Sequence, residues 1–194
     1  MHPKLSPTNK ADREYVERIT RVARVVCDYQ EARVLSGACH ELSAIGYVLL
    51  RESGIDEAEL CIGVAHSPHV PSFIPVDGIA FDHSWIEIGG APIDAACAAP
   101  LPPSIPVAPV IVGMHVDDGR PTEITYGVGG ALDEDGARVA SLTLAAYFDA
   151  FDREGEPTPW ETTIALGATL GLTLDAATTR SRHGETRWTL RAPK

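Results

Sequence analysis

The sequence is short of cysteine and of basic residues. Its 194 residues include four cysteines, and none of them forms a CxxC pair. This excludes a scaffold built on disulfides, so we expect free thiols in a reducing cytosol. Lys and Arg total 16 against 27 Asp and Glu, which gives a formal net charge of −11. Because nucleic acids and anionic membranes bind basic surfaces, we expect neither as a partner.

Long apolar runs are also missing. No stretch of about 18 apolar residues occurs, and the first residues are polar without the apolar region of a signal peptide. We therefore expect a cytoplasmic protein. A hydrophobic content of 44% with 22% charged residues is typical of a folded domain. The length favours a single domain over 1–194, with a core at about 11–128 and additional C-terminal helices within 141–174.

Two helices are predicted near the start of the chain. The first covers 10–31, where apolar residues recur at three- and four-residue spacing: Tyr15, Val16, Ile19, Val22, Val26 and Tyr29. The second begins at Cys39, after the small residues Ser36, Gly37 and Ala38, and continues to about Arg51. Its apolar positions, Leu42, Ile45, Leu49 and Leu50, indicate a buried helix whose first turn presents a thiol.

A β-hairpin is predicted after these helices. A strand over 59–65 precedes it, and the alternating pattern of 81–88 places Phe81, His83, Trp85 and Glu87 on one face. Gly89-Gly90 is a two-residue turn signal, and 91–96 returns antiparallel to 81–88. This pairing brings Asp94 alongside His83 or its near neighbours.

The second half of the chain shows weaker patterns. We expect a second hairpin between 110–116 and 123–128, with its turn at 117–119, and a solvated turn at 133–136. Two helices are predicted over 142–153 and 159–170, the latter because Pro159 suits a first helical turn. A final strand is predicted near 186–190.

Cys39, His83 and Asp94 together suggest nucleophilic chemistry. The start of a helix carries partial positive charge, which favours a thiolate at Cys39. An imidazole near the sulfur would act as its base, and a carboxylate on the other ring nitrogen would fix the tautomer. Each residue also has a plainer interpretation: Cys39 as a small buried hydrophobe, and His83 as a strand histidine bonded to a carbonyl. Asp82 or Glu87 could replace Asp94 as the orienting carboxylate.

A metal site is an alternative for the histidines. His66 and His69, with Cys61 or His83, could form a zinc site, but the spacing lies in a proline-rich loop without a second ligand pair. We therefore expect no metal.

Several motifs in 36–96 resemble the transglutaminase-like branch of the papain-type cysteine proteins. They are Gly37-Ala38-Cys39 opening an apolar helix, Gly63 in the next strand, His83-Ser84-Trp85-Ile86-Glu87, and Ile93-Asp94-Ala95. The resemblance implies an α+β fold with a papain-like core, in which N-terminal helices carry a nucleophilic cysteine at a helix start and pack on an antiparallel sheet.

The resemblance also implies acyl transfer or hydrolysis at amide bonds through a Cys39–His83–Asp94 triad and a thioester intermediate, without a cofactor. A peptidase or amidase acting on a peptide or protein amide is the first expectation. The alternative is a catalytically inactive binding module for a peptide or protein. Candidates for substrate or oxyanion contacts are Gln30, Ser36 and Trp85, with Trp85 expected mainly as a packing wall. The backbone N–H of Cys39 is a further oxyanion donor.

Overall fold

The computed structural model describes residues 9–33, 38–68, 79–96, 109–151 and 155–191. Within these ranges the helices are α1 (Lys10–Arg33), α2 (Cys39–Glu52), α3 (Glu134–Ser141), α4 (Leu144–Asp149), α5 (Pro159–Thr169) and α6 (Ala176–His183). The strands are β1 (Ala58–Ser67), β2 (Ile79–Ile88), β3 (Ala91–Asp94), β4 (Val110–Ile111), β5 (Met114–His115), β6 (Thr125–Val128) and β7 (Thr189–Arg191). The fold is α+β, with the helices packed on one mixed sheet.

Helix α2 forms the centre of the core. Every residue from Leu42 to Leu50 is buried, and the helix contacts β1, β2, α1 and α5. Helix α1 buries the predicted stripe, including Tyr15, Ile19 and Val26, and extends to Arg33. Both early helices thus begin as predicted, because their apolar periodicity matches their buried faces. Within the described ranges, no helix combines the length and apolarity needed to cross a membrane.

The predicted β2–β3 hairpin is confirmed. Ile88 pairs with Ala91, and Ile86 pairs with Ile93, across the turn at Gly89 and Gly90. Both glycines have positive φ angles, 59° and 79°, as a two-residue hairpin turn requires. The hairpin places Asp94 near His83, on the neighbouring strand.

The sheet is mixed, so the prediction of a wholly antiparallel sheet is wrong. Its order is β5-β4-β3-β2-β1-β6, and β7 adds a parallel pairing to β1 through Cys61, Ile62 and Gly63. Gly63 makes this approach possible, because a Cβ there would lie 2.6 Å from the carbonyl oxygen of Arg191. A three-residue strand that follows no alternating pattern does not reveal its pairing direction in the sequence.

The predicted second hairpin is also wrong. Strand β4 turns back to β5 through Val112 and Gly113, which both have positive φ angles of 56° and 76°. Strand β6 instead pairs with β1 at the other side of the sheet. A β-branched residue such as Val112 rarely adopts a positive φ angle, so the sequence at this position did not indicate a turn.

The helices after β6 differ in part from the prediction. Helix α5 begins at Pro159 as expected, with a capping box between Thr158 and Glu161. Helix α3, however, occupies the predicted turn at 133–136, because Asp133 accepts a hydrogen bond from Gly136 N–H as an N-cap. Helix α6 covers a stretch for which no helix was predicted. The division into a core at about 11–128 and additional helices stays a prediction.

Candidate active site

Cys39 is the first residue of α2 and lines a cavity. Ala38 stands at the N-cap position and makes no side-chain cap hydrogen bond, so the helix start keeps its partial positive charge. The Cys39 side chain is partly exposed. The cavity has a volume of about 430 Å³, and its lining includes Cys39, His40, His83, Asp82 and Asp133. A thiol at this position can therefore meet a molecule from solvent.

His83 and Asp94 form a buried pair between β2 and β3. The Nε2 atom of His83 lies 2.7 Å from Oδ2 of Asp94, and the two side chains are 1% and 0% exposed. Asp94 also accepts hydrogen bonds from the Ala96 N–H at 2.9 Å and from the Tyr126 hydroxyl at 2.8 Å. Burial disfavours the carboxylate, but the charge of His83 and these donors outweigh burial and lower the pKa of Asp94. The carboxylate therefore remains ionised behind the ring.

The other ring nitrogen of His83 is on the cavity side. Its Nδ1 atom is buried and makes no hydrogen bond to any residue that the structure describes. Burial disfavours the imidazolium, but the charges of Asp94 and of the Cys39 sulfur raise the pKa of His83 to about 10. The ring thus carries a proton near the thiol at neutral pH.

His40 is a second imidazole beside Cys39 that was not predicted from the sequence. Its Nδ1 atom lies 2.7 Å from the Ser84 hydroxyl, and Ser43 in turn donates a hydrogen bond to the Ser84 carbonyl. Burial opposes ionisation of the thiol, but His40 and then His83 favour the thiolate and lower the pKa of Cys39 to about 5. The available signal was its position directly after Cys39, in the first turn of a helix.

Aromatic rings surround the buried imidazole. The ring of Trp85 stacks on His83 at 6.4 Å between centroids and 14° between planes, and those of Phe81 and Tyr126 lie at 5.5 and 6.0 Å. These rings restrict the rotation of His83. They also exclude water from the His83–Asp94 contact, which strengthens its electrostatic interaction.

The structure does not bring all the predicted substrate contacts together. Trp85 is fully buried and donates its indole N–H to Glu87, so it forms the expected packing wall and offers no surface to substrate. Gln30 is 1% exposed on α1 and does not line this cavity. Ser36 lies outside the described residues.

The competing carboxylates have other partners. Glu87 contacts Trp85 and Arg191 rather than His83. Asp82 accepts a hydrogen bond from the Asp133 N–H at 2.8 Å, on the side of the cavity formed by α3. A Cβ at Gly136 would overlap with the Asp82 carboxylate, so glycine allows α3 to approach β2 closely. Asp94 is therefore the carboxylate that contacts the ring.

The described residues contain no group of three His, Cys, Asp or Glu side chains arranged to hold a metal ion. Of the residues considered for zinc, Cys61 is fully buried, and its thiol contacts the Glu59 carbonyl at 3.6 Å. His69 lies outside the described ranges.

Comparison with known proteins identifies the family. The family model of the transglutaminase-like superfamily matches residues 1–101, just over half of the chain, and this stretch contains Cys39, His83 and Asp94. No curated protein and no solved structure matches the chain. The extent of the family match shows that this chain belongs to the transglutaminase-like superfamily.

Proposed function

We propose that this protein is a cysteine hydrolase or acyltransferase that acts on amide bonds, in the first instance a peptidase or amidase. The observation that carries the proposal is the buried His83–Asp94 pair, whose free ring nitrogen lies on the side of the cavity that contains Cys39. A nucleophile, a proton carrier and an orienting carboxylate are the three groups that thiol-dependent acyl transfer requires.

The first half of the reaction forms a thioester. The Cys39 thiolate attacks the carbonyl carbon of the amide, and the carbonyl π electrons move to oxygen. The backbone N–H of Cys39, an unpaired donor position at the start of α2, would stabilise this oxyanion. When the C–N bond breaks, the Nδ1–H of His83 protonates the leaving nitrogen, and the amine departs.

The second half consumes the thioester. Neutral His83 takes a proton from water, and the resulting hydroxide attacks the thioester carbonyl. Collapse of the tetrahedral intermediate breaks the C–S bond and releases a carboxylic acid and the Cys39 thiolate. If an amine replaces water, the same steps give a new amide. Asp94 holds the Nε2–H of the ring at 2.7 Å through both halves and keeps Nδ1 directed at the reacting atoms.

The proposal includes a peptide or protein amide as substrate and a reducing compartment such as the cytoplasm. Cys39 must remain a free thiol to react, and Cys27, Cys39 and Cys61 are all free in the described residues. Small-molecule amides would enter the cavity equally well by volume, since about 430 Å³ is within the range of ligand pockets.

The experiment is trapping with a panel of activated acyl probes, followed by mass spectrometry of the intact protein and its peptides. We expect one stable adduct or acyl intermediate at Cys39, its loss in Cys39→Ala, and its retention in Cys27→Ala, which removes a buried thiol on α1. His83→Ala should lower the rate of acylation by about 10²–10⁴-fold. Absence of any adduct at an intact Cys39 would contradict the proposal and favour the inactive binding module.

A further inference from the structure

We propose that the cavity beside Cys39 binds a positively charged group of the substrate, the ammonium of a lysine or the guanidinium of an arginine next to the reacting amide. This inference rests on the proposed function and adds a substrate class to it. The residues assigned to the cation are Asp82 and Asp133, with Asp135 nearby.

The first reason is the charge of the cavity wall. Asp82, Asp133 and Asp135 all line the cavity, and the one of them that is paired is Asp135, whose Oδ1 atom lies 2.5 Å from Nη2 of Arg138. Among the described residues, this leaves Asp82 and Asp133 without a Lys or Arg ion pair. The start of α3 contributes about half a positive charge at this point, which does not balance two carboxylates.

The second reason is the proximity of these two carboxylates. Asp82 accepts a hydrogen bond from the backbone N–H of Asp133, and both residues line the cavity. Burial raises the pKa of Asp82 and the side chain of Asp133 adds to this effect, although the Asp133 N–H opposes it. A cation bound near both carboxylates would offset their mutual repulsion.

A third observation, independent of the carboxylates, indicates that a reactant enters this cavity. His83 is 1% exposed, and its Nδ1 atom has no hydrogen-bond partner among the described residues, although Nε2 is bound to Asp94. A buried polar nitrogen without a partner is costly unless a ligand or reacting group meets it. His83, Cys39 and the carboxylates line one cavity of about 430 Å³, so a molecule that reaches the sulfur also contacts the acidic wall.

His40 does not remove the need for a cation. It lines the same cavity, and its Nδ1 atom lies 2.7 Å from the Ser84 hydroxyl. A single ring offsets at most one of the two carboxylates, while the protonated His83 ring balances the Cys39 thiolate. The cavity therefore keeps a negative balance beside the proposed reacting atoms.

The test measures the electrostatic potential at Cys39 without requiring turnover. Two methanethiosulfonate reagents, one with a trimethylammonium group and one with a sulfonate group, are allowed to react with the folded protein. The rate at Cys39 is followed by mass spectrometry. The ratio of the two rates is independent of the fraction of thiolate, because both reagents consume the same thiolate. We expect the cationic reagent to react at least about tenfold faster.

The charge variants identify the source of the preference. Asp82→Asn and Asp133→Asn keep an oxygen for the hydrogen bonds at these positions, and each should reduce the ratio by about threefold or more. Asp175→Asn is the matched control, because it also replaces an N-cap aspartate, on α6, but does not line the cavity. It should leave the ratio unchanged, although the net charge of −11 is altered equally.

In the second arm, peptide amides with Lys or Arg are compared with norleucine or citrulline at each position beside the scissile bond. We expect a preference for the basic residue at one position, and its loss in Asp82→Asn. A rate ratio near one, or a ratio that the two Asn variants leave unchanged, would overturn the cation site. If the ratio behaves as expected but no peptide acylates Cys39, the proposed function fails while the cation site stands.

Discussion

The hydroxyl group of Tyr126 lies 2.8 Å from Oδ2 of Asp94, the same oxygen that the His83 ring contacts. Tyr126 is on β6, which pairs with β1, whereas Asp94 is on β3, on the far side of β2. Gly63 on β1 pairs directly with His83, and a Cβ there would lie 3.1 Å from the Trp85 ring that stacks on His83. Side chains from β2 and β6 thus both bind the carboxylate that β3 carries.

Tyr126→Phe should therefore weaken the site without removing any proposed reacting group. It deletes a hydrogen bond to a buried charge, which raises the pKa of Asp94 and lowers the free energy of unfolding by about 1.5–3 kcal/mol. If about 1.4 kcal/mol of this interaction is also lost in the transition state, kcat/KM of Tyr126→Phe should fall about tenfold. The acid limb of the pH–rate profile should also move to higher pH.

The matched control is Tyr15→Phe, because the Tyr15 hydroxyl bonds Glu57 at 3.2 Å, away from the cavity. If both variants have the same pH–rate profile as the parent protein, Tyr126 has no positioning role.

Alkylation of Cys39 should show an unusual dependence on pH. Because the pKa of Cys39 is about 5, its rate with iodoacetamide should be nearly constant from about pH 6 to 8 and fall as the pH drops through about 5. Burial raises the pKa of Cys27 and Cys61 to about 12, so both should remain unlabelled in the folded protein. Because the pKa of His83 is about 10, the ion pair between the Cys39 thiolate and the His83 imidazolium should be lost as the pH rises through that value. Peptide mapping after timed labelling measures Cys39, Cys27 and Cys61 separately, and a Cys39 rate that keeps increasing from about pH 7 to 9 would contradict an ionised thiol.

His40→Gln tests the second imidazole. Because His40 is the leading cause that favours the thiolate, its replacement should raise the pKa of Cys39 and reduce labelling most strongly at acidic pH. Labelling well above the new pKa should recover, since the nucleophile itself is intact. His115→Gln, on β5 and away from the cavity, serves as the control. Identical profiles for both variants would show that His40 contributes only packing.

Glu52 joins the end of α2 to α6, and Glu52→Gln should lower stability. Its Oε1 atom lies 2.7 Å from Nε2 of His183, and Arg182 binds both carboxylate oxygens. Glu52 and His183 are 9% and 7% exposed. The substitution should therefore lower the free energy of unfolding, measured with urea near pH 7, by about 1–3 kcal/mol. Burial opposes the carboxylate, but its two partners lower the pKa of Glu52.

The stabilisation by Glu52 depends on pH, because its pKa is lowered in the folded protein. A lowered folded-state pKa gives stability that is present above the unfolded value of about 4.3 and is lost as the pH falls through the folded value. The difference between parent and Glu52→Gln should therefore shrink in acid. Glu14→Gln, which removes an exposed pair with Lys10, should lower the free energy of unfolding by less than about 0.5 kcal/mol. Equal losses in the two variants would show that the Glu52 contacts do not stabilise the packing of α2 on α6.

The sequence predicted those parts of the fold in which local pattern and tertiary contacts agree. The stripe of α1, the apolar α2 and the Gly89-Gly90 turn all carry periodic or turn signals within a short window. The same local pairing placed Asp94 near His83, and the 2.7 Å contact agrees with it.

What the sequence did not reveal depends on residues distant in the chain. Tyr126 belongs to the site because β6 pairs with β1 rather than with 110–116, and no local feature distinguishes these pairings. Asp133 starts α3 although Asp-Glu-Asp-Gly also suits a turn, since N-caps and turns use the same side chains. Gln30 resembled a polar site residue, but it is buried within the core face of α1.

Strand β7 has a consequence for how the protein is made. Arg191 reaches Glu59, 132 positions earlier, and its strand covers the edge of β1 at Cys61, Ile62 and Gly63. During synthesis one edge of this apolar stretch therefore stays unpaired until almost 130 further residues have left the ribosome. Such a delayed closure slows folding and exposes nascent chains to aggregation, so protection by a chaperone during translation should raise the yield of native protein.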